Sequence, residues 1–522
     1  DGTNALAPST TIAEIHGGNK SAKGNTLNVN TAATVGKIEN FSTVAFKNAA
    51  SKLTLTQAGA NFDLDTIAAD FGATENEVTL VENAGGLTLA GGKTFKSDLS
   101  TVGTQTRETN LDVRDGNKKI VRYGYTVAGA TAETRSGSEM WGGRSAAGNS
   151  THDNKFTVND GSGKTVYGGY TSGAGGTATD KNDSHTNTVT VTGGNMTVYG
   201  GWTNVAGGKA VSNTVKVTAN AQGTLVGGHS ASGEASNNVV DVTNAAFNGN
   251  ITGGQGTVAN YNVIRLRNAA VSGTVTGGTA ANGKDNTLEV SYGSGASSSV
   301  GDITNVQRLH FDMEKAPVQN ANPLLKLTNV SGGDKNLTGM KFAVARSGAT
   351  KKLAKGDTFT LMENTTTGGH NITVGSGVTA EGRDGVSRKY EFDITTDTTG
   401  KLIATVTKVG FAEQAKSLVE TRAGASAFLN DAADFTAGAG MDAAQKEARA
   451  AAQSGSAPYG LWAGLGAGSL RHKTGSYVDM KGWNLGVGWA RENAVQAGTL
   501  TFGPFIEYGR GNYDSYLDDG TH

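Results

Sequence analysis

Six short segments of the chain share one arrangement of apolar and polar positions. "NKFTV", "NTVTV", "NTVKV", "NVVDV", "NVIRL" and "NTLEV" begin at Asn154, Asn187, Asn213, Asn238, Asn262 and Asn286. The second and fourth residues after each asparagine are apolar and the third is polar, the alternation of a strand with one buried face. Glycine pairs interleave with them, at 142–143, 168–169, 200–201, 227–228, 253–254 and 277–278, after lead-ins such as "TVYGG" and "TLVGG". The pairs recur at intervals of 26, 32, 27, 26 and 24 residues. Periodicity on that scale signals a solenoid. Each repeat holds at least two short strands, joined by turns rich in Gly, Asn, Ser and Ala, and nothing in it has helical spacing.

A unit of about 25 residues cannot bury its own apolar positions, so the coils must stack. Stacking places Val189, Val215, Val240, Ile264 and Leu288 in one interior row and predicts an all-β fold, a parallel β-helix rising ~4.8 Å per coil. The asparagines then form a ladder of side-chain hydrogen bonds, and the glycine pairs suit positive φ at tight corners. Asp241 and Arg265, at equivalent positions of neighbouring coils, are expected to pair on the outside.

The flanking segments repeat on a longer scale. "NTLNV" at Asn25 and "IENFSTVAF" at Ile38 answer "NTLEV" at Asn286 and "ITNVQRLHF" at Ile303. "TLVENAGG" at Thr79 answers "TLMENTTTGG" at Thr360, and "RYGYTV" at Arg122 loosely answers "KYEFDI" at Lys389. Residues 25 to about 130 and 286 to about 408 therefore read as two copies of one closing block, the second of which caps the rod against edge pairing.

After Val409 the pattern changes. In "FAEQAKSLVETRAGASAFLNDAADF", Phe411, Ala415, Leu418, Arg422, Ala425 and Leu429 fall at helical spacing. A helix of about 23 residues spans ~35 Å, roughly a bilayer, yet Glu413, Lys416, Glu420 and Arg422 exclude a lipid-exposed span. It is either a helix inside a polar pore or an ordinary capping or linker helix. From Tyr459 the alternation becomes that of strands about ten residues long. Leu461 and Leu465 share a face opposite Gly460, Trp462, Gly464 and Gly466. Trp483, Leu485, Val487 and Trp489 alternate with glycine and asparagine, and Phe502, Ile506 and Tyr508 continue the pattern. An apolar face, a small or polar face and aromatics near the ends are what lipid-facing barrel strands require. "ENAVQ" is expected as a short turn and "RHKTGS" as a polar loop.

Taken in order, the Gly/Asn-rich repeats, the helix around "AKSLVETRAGASAFL" and the opening of a barrel resemble the monomeric autotransporters of Gram-negative bacteria, the type V secretion family. The resemblance implies a β-helix passenger at the cell surface or secreted, and a barrel of about twelve strands in the outer membrane. It also implies a helix threading the pore, with Leu418, Arg422, Ala425 and Leu429 as pore-helix residues. The lipid-facing residues would be Leu461, Leu465, Trp483, Leu485, Val487, Trp489, Phe502, Ile506 and Tyr508. The expected organisation is the end of a preceding β-helix module (1–130), repeats (131–300), a closing block (301–409), the helical segment (410–455) and the first barrel strands (456–522). Because the chain opens at Asp1 without a signal peptide and stops at His522 with about nine strands missing, it is expected to be part of a longer polypeptide.

Composition narrows the function. A net charge of −1 argues against a nucleic-acid binder, which carries a basic stripe. There is no cysteine, hence no disulfide or thiolate–metal framework, and no apolar run long enough for a transmembrane helix. "NDGSGKTVYGGY" ends in the Gly163-Lys164-Thr165 of a phosphate loop, but Val158 stands where the first glycine belongs and no helix follows. The eight histidines lack metal-ligand spacing, and no nucleophile turn or calcium nonapeptide appears. The reading is therefore non-enzymatic and without cofactor: a displayed rod, adhesive or structural. The alternative is the stalk and translocator of a protease or esterase whose catalytic domain precedes residue 1. Expected partners are outer-membrane lipid, the barrel assembly machinery and a surface receptor or glycan, with no nucleic acid. Tyr167, Tyr170, Tyr199 and Trp202, beside the glycine pairs, either form an exposed strip for glycan or protein contact or pack between coils.

Overall fold

The structure is a computed structural model describing residues 12–516, except 19–24, 62–65, 70–76, 90–97, 174–175, 177, 294–295, 315, 317–321, 347–351, 385–386, 456 and 474–476. It contains two compact units, one of residues 1–345, 357–380 and 393–405, the other of residues 346–356, 381–392 and 406–522.

The first unit is a β-solenoid built on three parallel sheets. The asparagine sheet has eight strands: Lys155–Val158, Thr188–Val191, Thr214–Val217, Val239–Thr243, Val263–Arg267, Thr287–Ser291, Arg308–Asp312 and Lys341–Ala345. The glycine sheet includes Glu139–Ser145, Lys164–Thr171, Asn195–Thr203, Ala221–Ser230 and Ala246–Gln255. The third sheet contributes Thr151–His152, Ser184–His185 and Ala210–Val211 to the same coils. Phe156, Val189, Val215, Val240, Ile264, Leu288, Leu309 and Phe342 stand in register as one buried row, as the alternation predicts. Val166, Val198, Leu225, Ile251 and Val275 face them from the glycine sheet, also buried. Each such side chain contributes about 1.5–3 kcal/mol on burial, which is why a stack of coils is stable where one coil is not.

The asparagine ladder is present. Asn187 Nδ2 donates to Asn213 Oδ1 at 3.0 Å, and the Asn187 backbone N–H donates to the same oxygen at 3.1 Å. The same Nδ2 donates back to the Thr151 carbonyl at 3.0 Å. The arrangement repeats from Asn154 to Asn286 and ends on Gln307 Oε1, 3.0 Å from the Asn286 N–H. All six asparagines are buried, so each unmade bond would cost about 1–3 kcal/mol.

The glycine pairs have a different cause from the expected corners. None of the twelve has positive φ. They lie where coils touch: a Cβ on Gly168, Gly200 or Gly227 would enter the carbonyl oxygen of Gly200, Gly227 or Gly253 on the next coil. On the second glycine it would meet the ladder, 2.6 Å from Asn187 Nδ2 at Gly169 and 2.6 Å from Asn238 Nδ2 at Gly228. Pair and asparagine are thus one motif, the glycine leaving the volume that the amide fills. The positive-φ corners fall one residue before each ladder asparagine, at Asp153, Thr186, Ser212, Asn237, Tyr261 and Asp285, with φ of 50–58°.

The duplicated block is visible in the pairing. Thr26–Val29 pairs in parallel with Thr43–Phe46, as Thr287–Ser291 does with Arg308–Asp312. Val78–Glu82 then pairs antiparallel with Lys119–Ala128, and Thr358–Asn364 with Leu402–Phe411. The counterpart of the "RYGYTV" strand is therefore Leu402–Phe411 rather than the "KYEFDI" strand.

In the second unit, helix α1 (Glu413–Phe435) runs through a π-helical turn, Thr436–Gly440, into helix α2 (Met441–Ser454). Gly438 and Gly440 weaken the helical register there, and Gly455, left-handed at φ 65°, ends α2. An antiparallel sheet follows, of strands Gly460–Lys473, Tyr477–Val495, Gly498–Phe502 and Phe505–Tyr516. The central strand runs through most of the expected "ENAVQ" turn to Val495, leaving residues 496–497 as the connection.

Candidate functional site

Two surfaces carry the residues singled out from the sequence. On the outside of the glycine sheet, Tyr170 and Trp202 stack with ring centroids 4.5 Å apart and planes 4° from parallel. Trp202 stacks on His229 at 5.6 Å, and Tyr167 on Tyr199 at 5.5 Å. Strand register explains this, since Tyr167 pairs with Tyr199, and Tyr170 with Trp202 and then His229. The ladder is closed at both ends. Arg144 lies over Trp141, Tyr125 and Tyr170, 4.6, 4.9 and 5.3 Å from the ring centroids, with Glu139 3.6 Å away. At the other end His229 Nδ1 meets Gln255 Oε1 at 3.0 Å.

The aromatics pack ring on ring between coils, and part of the ladder reaches the surface. Tyr167 is buried, and Tyr170, Tyr199 and Trp202 remain partly exposed. Parallel rings cover one another's faces, so the ladder turns edges outward. Each stacked pair is worth about 0.5–1.5 kcal/mol beyond its buried area. Burial raises the pKa of the Tyr167, Tyr170 and Tyr199 hydroxyls. It lowers that of His229, against the opposing hydrogen bond from Gln255. Trp141, Arg144 and His229 were not anticipated, although each sits one coil from a residue that was.

The asparagine sheet presents a charged exterior. Arg265 Nε donates to Glu289 Oε2 at 2.6 Å, and His310 Nδ1 lies 3.8 Å from the same carboxylate. His310 and Arg265 together hold the Glu289 carboxyl down at about 2. Asp241 is in register with Arg265 but accepts from Thr243 Oγ1 at 2.8 Å, so the expected Asp241–Arg265 pair is replaced by Arg265–Glu289.

The second surface is the antiparallel sheet of the second unit. Its outward face is apolar: Leu461 and Ile506 are each 74% exposed, and Leu465, Trp483, Leu485, Val487, Trp489, Phe502 and Tyr508 are exposed with them. The opposite face is glycine-rich and receives the helix. A Cβ on Gly464 or Gly466 would approach the Phe435 ring to 3.0 or 2.9 Å, and one on Gly482 or Gly509 the Phe428 ring to 2.7 or 2.8 Å. Trp462, 6% exposed, packs with Ala448 and Ala490. Polar contacts hold helix α1 through Thr421 to Tyr513 at 2.7 Å and the buried Glu420 to Ser515, and the π-helical turn through Thr436 to Glu507 at 2.6 Å. The side facing the sheet carries Glu420, Gly424, Phe428 and Phe435, whereas Arg422, Ala425 and Leu429 are exposed. The Leu418 side chain lies outside the described residues. Among the described residues no helix is long and apolar enough to cross a membrane.

Other chemistry suggested by the letters is accounted for locally. Lys164 of the phosphate-loop lookalike opens a strand and donates to the Gly137 carbonyl at 2.5 Å. His152 and His185, 33 residues apart, stack at 5.1 Å; that spacing, equal to Asn154 to Asn187, was the available signal. Glu14, His16 and Glu39 converge closely enough to hold a cation, but Lys37 already bonds Glu14 and Glu39. Comparison with known protein families, with curated proteins and with solved structures finds no match.

Proposed function

We propose that this chain is the rod and opening barrel strands of a self-secreted Gram-negative surface protein, an autotransporter whose non-enzymatic, adhesive or structural passenger is displayed or released. The observation that carries the reading is the inside-out sheet, with large apolar side chains outward and glycines inward around the phenylalanines of a charged helix. In water such an apolar patch is a liability, whereas in hydrocarbon it is what a closed barrel presents. Polar contacts along α1 suit a helix inside a wet lumen rather than one facing lipid. The rod's smooth stack of coils suits display. On this reading the barrel strands contact outer-membrane lipid and require the barrel assembly machinery, and the rod meets a receptor or glycan.

The 522 residues hold no cysteine, so a thiol introduced among them is read against the unsubstituted gene product labelled in parallel. In cells producing the full-length gene product, Asn248→Cys should react with a membrane-impermeant maleimide on intact cells, and the protein should fractionate with the outer membrane. Labelling only after lysis, with the protein in the soluble fraction, would contradict the proposal.

A further inference from the structure

The outer face of the glycine sheet does not end at the aromatic ladder. Next to the Tyr199 column stands the column Thr197, Thr224 and Asn250, and beyond it Asn195, Gln222 and Asn248, in register on successive coils. With Ser162 and Asn220 this last column lines an open groove of about 320 Å³. None of its lining residues is charged, in contrast to the Lys216, Asp241, Arg265 and Glu289 column on the asparagine sheet.

The groove also has a defined polarity. Asn220 Oδ1 accepts from the Ala246 backbone N–H at 2.8 Å, and Asn248 Oδ1 accepts from Ser272 Oγ at 2.6 Å. With each oxygen accepting from the fold, the amide orientations are fixed, and each Nδ2 together with the second lone pair of each oxygen is left to offer. Asn195 and Gln222 are exposed and stand beside them on the same wall. Ala221 and Ala246 supply a short apolar floor. The site is therefore an uncharged array of amide donors and acceptors over small apolar contacts, repeated at the coil spacing of ~4.8 Å.

From this geometry we infer that the groove binds a neutral, hydroxyl-rich glycan chain. Its hydroxyl and ring oxygens would accept from the amides, its hydroxyls would donate to the free carbonyl oxygens, and its C–H faces would rest on the alanines. An anionic polymer would call for lysine or arginine in the wall. A peptide strand would call for an open sheet edge, whereas these coils are paired above and below. No carboxylate lines the groove, so the inference is of binding and invokes no carboxylate-pair cleavage. The inference deepens the surface-rod reading and rests on it for access to polysaccharide, while its test needs neither export nor membrane insertion.

The test is binding of the purified full chain to cellohexaose, maltohexaose, mannohexaose and chitohexaose, with a heparin hexasaccharide as the anionic control, by calorimetry and saturation-transfer NMR. At least one neutral hexasaccharide should bind with a Kd of about 1 mM or tighter. Asn195→Ala with Gln222→Ala, which removes no side-chain bond of the fold, should weaken that binding about tenfold with the melting temperature unchanged. Tyr170→Ser with Trp202→Ser should leave it within about twofold, because the ladder turns edges rather than faces to solvent. No neutral binding, heparin binding alone, or loss only on changing the aromatics would each overturn the assignment. Surface labelling of Asn248→Cys on cells reads display separately, so a rod that is displayed but binds no glycan sinks the groove alone.

Discussion

The solenoid and the C-terminal sheet use the same two devices in opposite senses. Both alternate large apolar residues with small or polar ones along each strand. On the asparagine sheet of the solenoid the large residues point inward, Val189 through Leu288 being buried, and the outside is polar and charged. In the C-terminal sheet Leu461, Leu465 and Ile506 point outward and glycines line the inside. Glycine is decisive in both, but it faces different neighbours: backbone carbonyls and ladder amides in the solenoid, phenyl rings of α1 in the sheet. The alternation thus specifies a two-sided strand, and only the partner on each side tells which is the interior.

Adding one methyl to a glycine of each kind separates the two environments most strongly. Gly227→Ala drives Cβ into the Gly253 carbonyl and toward Asn238 Cβ, backbone-tethered atoms that cannot step aside. The expected loss is about 3 kcal/mol or more, read by denaturant unfolding. Gly464→Ala meets only the tip of Phe435 at 3.0 Å, and a ring that can tilt should limit the loss to about 1 kcal/mol. Equal losses would mean that the two glycine classes do not differ as described.

The ladder comes next. Asn238→Ala removes the oxygen that accepts from both the backbone N–H and Nδ2 of Asn213, at 3.0 and 3.1 Å. Two buried donors are left without that partner, and destabilisation of about 2–3 kcal/mol is expected. Hydrogen exchange should rise first at the Asn213 amide.

The smallest effect belongs to the charged exterior. The folded pKa of Glu289, about 2, lies below its ordinary value. Its contribution is therefore present above the usual carboxylate range and is lost as pH falls through about 2. Because the pair is partly exposed, Glu289→Gln should cost only about 1 kcal/mol at neutral pH, and the difference from the parent should vanish near pH 2. A difference that persists there would place the loss in packing rather than charge.

How far the sequence could be read follows from these same residues. The asparagine strands and their interior row were legible because Val, Ile and Leu recur at fixed offsets from the asparagine. The role of the glycine pairs was not, because glycine is equally suited to positive φ and to close approach, and composition does not separate the two. The true corners were hidden because Asp153, Thr186, Ser212, Asn237, Tyr261 and Asp285 have no single residue type in common. On α1 the spacing through Leu429 gave the helix but not its packed side, since a glycine-lined partner needs few large residues and that side reads as Glu420, Gly424 and Phe428. The aromatic ladder was half visible: Tyr167, Tyr170, Tyr199 and Trp202 stood out beside the glycines, whereas Arg144 and His229 join it only through strand register.

On the proposed reading, the C-terminal sheet is inside out because lipid lies outside it. The direct measurement is fluorescence of an environment-sensitive label at Leu465→Cys or Gly468→Cys in the full-length gene product, reconstituted in bilayers with and without brominated lipids. Leu465 points outward, whereas a Cβ at Gly468 would point to the helix side, 3.8 Å from Asp431. Strong bromolipid quenching is expected at position 465 and little at 468. Equal exposure of both labels to water, with no quenching at either, would contradict it.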